Sequence, residues 1–160
     1  MYVSYKSYGL LAIALLSVFF QLASPPRTHL AGADSAGPKA EPQPVEKDMH
    51  EFMECVFEPT FKRLKPLMAA EPKENAGWKG IKADSLSLAE AGNLLLSRGP
   101  DKDREKWAEW SVAVRDAGGQ LYQAARKKDF AESRKQYEAM LIKCNACHTH
   151  FANGKHQLAP

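Results

Sequence analysis

No stretch of this 160-residue chain alternates apolar and polar residues at period two over any useful length, which argues against a fold built on sheets. Nor does any apolar run reach the roughly 20 residues a membrane-spanning helix needs. The longest, GLLAIALLSVFFQLA over residues 9–23, is interrupted by Ser17 and Gln21. An excess of one sign of charge is also lacking. The formal net charge is +3, and no basic patch is interleaved with aromatics, so nucleic acid is not an expected partner. Cysteine occurs three times. Cys144 and Cys147 lie together and Cys55 is far upstream, so no second Cys/His pair stands at the spacing of a zinc site. No strand precedes Cys144, which removes the usual setting of a thioredoxin-like dithiol.

What is present is Cys144-Asn145-Ala146-Cys147-His148, a C-x-x-C-H motif inside a strongly helical segment. That motif reads as a covalent haem attachment site. Two thiols add across the two haem vinyl groups as thioethers, and the following histidine offers an imidazole nitrogen to the iron. On a helix, residues three and four apart share a face, so Cys144, Cys147 and His148 present themselves together. One covalent haem c is the expected cofactor.

The front of the chain fits export. Lys6 followed by the apolar run has the shape of a secretory signal over residues 1–23, with cleavage after Ala23 or as late as Ala33. If the segment stays uncut, the protein is instead anchored to the periplasmic face of the inner membrane. Residues 24–44 are rich in Pro, Gly, Ala and Ser and read as a disordered linker, in which His29 has no reason to be a ligand. Cutting after residue 33 removes Lys6 and Arg27, leaving 20 basic against 19 acidic residues, a nearly neutral surface. Cys55, flanked by Met53, Val56 and Phe57, reads as a small packed hydrophobe, with an intermolecular disulfide as the sharper alternative.

The domain spans 45–154, with 155–160 as a tail. Turn signals divide it into four helical stretches. The first, over about 46–70, sets Met49, Met53, Val56, Thr60, Leu64 and Leu67 on one face, and its prolines predict a kink near Glu58 and weakening beyond Lys65. The second, over about 76–97, carries Trp78, Ile81, Ser85, Leu88, Gly92 and Leu95 as a stripe. Asp101 is the expected N-cap of the third, with Trp107, Trp110, Val114, Ala117, Leu121 and Ala125 buried. Gly118-Gly119 inside it costs about 1 kcal/mol per glycine relative to alanine, which predicts close approach of another backbone or a bulky ligand. The fourth opens on the capping-box pattern Asp129 to Glu132, carries the motif, and ends at a left-handed Gly154. The longest connection is expected between the first two helices. Four amphipathic helices on short connections predict an all-α, antiparallel four-helix bundle with covalently bound haem.

With export, four helices, C-x-x-C-H in the last of them, Cys144-x-x-Cys147-His148-x-x-Phe151, and Phe61-x-Arg63-Leu64-x-Pro66 in the first, the chain resembles the class II c-type cytochromes. These are the cytochrome c prime group and its methionine-ligated relatives. The resemblance covers residues 46–153. It departs at Ala152, where the family often has a basic residue. The resemblance implies that the first helix supplies whatever faces iron opposite His148: an apolar side chain in gas-binding members, a methionine in electron carriers. Laid on that position, Met53 is the expected sixth ligand, with His50 as the alternative and core packing as the plainer role of Met53. His150 lies about 160° round the helix from His148 and is expected to face solvent or a neighbouring helix. His156 falls in the tail. The tryptophans are expected in the core, and the charges of 101–109 on a solvated face.

The expected function is single-electron transfer by an exported monohaem c-type cytochrome in the periplasm, without enzymatic activity. Its partners would be transiently docking redox proteins, with a homodimer as a further option. The alternative is a five-coordinate haem protein that binds NO or CO. A haem peroxidase would need a polar distal pocket, and Phe52, Met53, Val56 and Phe57 make it apolar.

Overall fold

The computed structural model describes residues 43–160. The expected signal segment and His29 lie outside the described residues, as does the expected linker up to residue 42. Asp48 opens the first helix by accepting the Glu51 amide on its side chain at 3.0 Å. Helix α1 (Met49–Phe52) passes into a π-helical turn (Met53–Phe57) and on into α2 (Glu58–Leu67), making one uninterrupted rod. Helices α3 (Asn75–Leu96), α4 (Arg104–Arg126) and α5 (Phe130–Phe151) follow. Among the described residues there is no strand, and the architecture is all-α with four helices.

The π turn has a local cause. Pro59 lacks an amide, and its ring crowds the carbonyl of the residue four before it, Cys55, so a tight α turn cannot close there. The turn widens instead, and the Glu58 amide donates to the Met53 carbonyl, five residues back. Phe52 and Phe57, also five apart, meet edge to face with ring centroids 5.8 Å apart. The break predicted near Glu58 therefore takes the form of a wide turn ending at that residue. Its extra residue rephases the helix: Phe52 is buried, whereas Met49, Met53 and Val56 are half-buried. Of the stripe read from α-helical spacing, Thr60 and Leu64 are buried, while Met49, Met53, Val56 and Leu67 pack against the core at half burial.

In α3 all six predicted stripe residues are buried. In α4 the same holds for Trp107, Val114, Ala117, Leu121 and Ala125, while Trp110 is half-buried. Two apolar clusters fill the interior. The larger joins Leu64 and Met68 to Trp78 and Ile81 near the start of α3, Leu121 and Ala125 near the end of α4, and Tyr137 and Met140 in α5. The smaller joins Phe52 to Leu95 at the end of α3 and Trp107 at the start of α4, with Met53 and Phe151 packed on it. Ends meeting starts in this way set each helix against the direction of the next. The Trp107 indole donates to the Leu95 carbonyl at 2.7 Å, occupying an acceptor near the α3 terminus. Gly118 lets α4 approach α3 closely: a Cβ there would lie 3.0 Å from the Ala89 amide nitrogen, whereas Gly119 faces open space. Half of the glycine pair is thus explained by the predicted close approach.

Three local expectations change. The connections 68–74 and 97–103 are equally long, so the first is not the longest. The residue before α4 is Asp103, not Asp101; it is left-handed at φ 59° and makes no side-chain cap. Its carboxylate instead lies 3.5 Å from His150 at the end of α5. At the start of α5, Asp129 caps the Glu132 amide at 2.9 Å, but the Glu132 carboxylate turns to Gln136, so only half of the capping box forms.

Candidate haem-attachment site

The motif occupies the last two turns of α5, where Gly154, at φ +74°, donates its amide to the His148 carbonyl at 3.1 Å and ends the helix. Cys147 is buried and Cys144 is half-buried with its side chain packed against the larger cluster. The two thiols are not bonded to one another. Burial pushes the Cys144 thiol up to about 12, with the neighbouring Cys147 adding to it, and burial raises Cys147 to about 11. A redox dithiol needs one thiol lowered toward neutrality so that the thiolate can attack. Both shifts run the other way, which speaks against disulfide exchange.

His148 is half-buried, and burial holds its imidazole below the ordinary histidine range. Its Nδ1 lies 2.8 Å from the carbonyl oxygen of His156. A carbonyl only accepts, so Nδ1 carries the proton, and the lone pair of the neutral ring sits on Nε2. An imidazole prepared in this way is a ligand with one free nitrogen.

Helices α3 and α4, and α4 and α5, pack directly on one another. The first rod and α5 do not: no Cα of α1, the π turn or α2 comes within 8 Å of a Cα of α5. Side chains span that wider space, with Phe57, Phe61 and Cys144 all packed on the larger cluster. Two inward thiols, an imidazole with a free Nε2, and a wide apolar seam between the helix that carries them and the first rod fit a covalently held haem. Tyr137, one per cent exposed, places its hydroxyl in the same interior without a partner among the described residues. A surface groove of about 870 Å³ runs along α3, α4 and the start of α5, and includes none of the motif residues.

The distal candidates separate by environment. Met53 is half-buried and packs on the smaller cluster, together with Phe151, three residues beyond His148. His50 is exposed, and its Nε2 lies 3.3 Å from Glu54 on the same face. His150 pairs with Asp103 of the neighbouring α4 cap, in keeping with its predicted outward direction. Cys55 is a correction: it is exposed rather than packed, because the π turn rotates it outward, and its thiol donates to Glu51 at 3.4 Å. That hydrogen bond and the surrounding carboxylates raise its pKa, which disfavours a reactive thiolate.

Sequence reasoning missed His156. Its carbonyl meets His148, and its ring is near those of both His50 and His148, with centroids 6.1 and 6.4 Å away. Nothing in the sequence marked it, because the contact depends on how residues after Gly154 fold back. Among the described residues no three His, Cys, Asp or Glu side chains converge as a cage for a bare metal ion. Comparison with known proteins finds no protein-family model and no curated protein that matches the chain.

Proposed function

We propose that this chain is an exported monohaem c-type cytochrome of the class II kind, an antiparallel four-helix bundle that carries single electrons in the periplasm. The observation that carries the reading is the state of the motif on α5: two unbonded thiols, Cys144 packed on the larger apolar cluster and Cys147 buried, followed by a histidine whose Nδ1 is engaged and whose Nε2 is free. The resemblance of residues 46–153 to that family supports it further.

Haem supplies a one-electron iron couple when bound. Cys144 and Cys147 tether it, His148 binds iron through Nε2, and Met53 is the proposed sixth ligand. The residues of the wide seam keep water from the site, and no side chain is required as a general acid or base. Docking to redox partners is transient, because a nearly neutral surface gives little long-range steering.

The second reading, a five-coordinate haem protein that binds NO or CO, draws on Phe52. This bulky apolar residue is buried in the same helix while Met53 is only half-buried. The attachment claim is tested by expressing the wild-type chain and a Cys144→Ser/Cys147→Ser variant with a haem-attachment system. Wild type is expected to keep its haem through acid–acetone extraction and the variant to lose it; a variant that keeps the haem overturns the reading.

A further inference from the structure

After Gly154 the chain turns back along α5 and is pinned at three places. The Asn145 side chain clasps the backbone of Leu158 from both sides: its Nδ2 donates to the Leu158 carbonyl at 2.9 Å, and its Oδ1 accepts the Leu158 amide at 2.7 Å. The Leu158 side chain packs on the larger core cluster. Lys65, from α2, donates to the Ala159 carbonyl at 3.0 Å, so the segment crosses from α5 to the first rod. His156, within the loop so held, has a left-handed backbone at φ 59° and turns its carbonyl onto His148 Nδ1. A non-glycine residue takes that conformation at an energetic cost and keeps it where its surroundings enforce it.

We propose that residues 155–160 form a proximal strap, in which the His156 carbonyl fixes the tautomer and orientation of His148 and Asn145 is the positioning residue that holds the strap in place. Asn145 is one of the two unspecified positions of C-x-x-C-H, so in this chain the motif's spacer carries a second task. The inference rests on the haem reading. A carbonyl accepting from Nδ1–H makes the imidazole a stronger donor through Nε2, which favours the more oxidised iron and lowers the reduction potential.

The test compares four haem-loaded chains: wild type, Asn145→Ala, a chain ending at Gly154, and the two changes combined. Covalent haem content and reduction potential are measured for each. The expected result is full haem retention in all four, with a potential raised by a similar amount in Asn145→Ala and in the shortened chain. The combined variant should show no further rise, because both changes act through one strap. Retained haem with an unmoved potential overturns the strap alone, and so do additive shifts in the combined variant. Wild type without covalent haem overturns the cytochrome reading, and the strap falls with it.

Discussion

Asp84, buried on α3, receives two donors of Arg63 from α2 on one oxygen: Nε at 3.0 Å and a terminal guanidinium nitrogen at 2.7 Å, both to Oδ1. The pair joins the first rod to its neighbour. It also gives a structural role to the arginine of the Phe61-x-Arg63-Leu64-x-Pro66 pattern. Removing Arg63 leaves a buried carboxylate without its partner, but the arginine side chain is 58% exposed, so water replaces part of the loss. Arg63→Met is expected to cost about 1–2 kcal/mol in chemical denaturation. Adding Asp84→Asn should recover much of that, because the stranded charge goes with it.

Two glycines within the helices should respond oppositely to alanine. A Cβ on Gly92 would lie 2.9 Å from both the Cα and the amide nitrogen of Arg115, backbone that cannot yield without moving α4. Gly92→Ala should therefore destabilise by about 1–3 kcal/mol despite its better helix propensity. Gly119 meets nothing within 4 Å, and Gly119→Ala should stabilise by about 0.5–1 kcal/mol. Thermal melts of the two variants, taken side by side, decide the matter.

Alkaline pH should weaken the haem-free chain. Burial pushes Tyr137 from 10.0 up to about 12 and Cys144 from 9.0 up to about 12. In both cases folding favours the neutral form, so the unfolded chain loses its proton first as pH rises. Stability from these groups is whole below pH 9 and falls between pH 9 and about 12, by up to about 1.4 kcal/mol per pH unit for each group. A thioether does not ionise, so attaching haem should leave only the Tyr137 share. Denaturation midpoints measured across that range check both statements. Tyr137→Phe should remove the remaining slope and, because the hydroxyl has no partner, be neutral or stabilising by about 1 kcal/mol at neutral pH.

The sixth position is read from the spectrum of the reduced protein with and without CO. Ligation by Met53 gives a low-spin spectrum that CO leaves unchanged, and Met53→Ala converts it to one that CO shifts. A wild-type spectrum already shifted by CO means open iron and the gas-binding reading.

Where helices follow ordinary α spacing, the sequence was a reliable guide: every stripe residue named in α3 is buried, and the Asp129 cap and Gly154 stop both form. It failed where periodicity changes. Proline at 59 signalled a disturbance, but spacing rules do not say whether it takes the form of a bend or, as here, of a wide turn that sets Phe52 edge to face on Phe57. That one difference exchanged Phe52 for Met53 as the buried residue and turned Cys55 outward. At the site, the C-x-x-C-H spacing could be picked out from the sequence alone, and the structure places Cys144, Cys147 and His148 together in the last two turns of α5. The His156 carbonyl was not legible, because any residue can supply a carbonyl and only the folded path of the chain brings this one to His148.

A π turn differs from an α turn by one residue of circumference, and a single step along an α-helix is about 100°. The turn at Met53–Phe57 therefore acts as an index wheel for everything ahead of it. Deleting Glu54 from it together with Pro59→Ala would return the rod to even pitch and bring a different member of the set Met49, His50, Phe52 and Met53 round to the interior, with all four side chains still in the chain. For this helix, insertion and deletion are a shorter route than substitution to changing what the inner face presents.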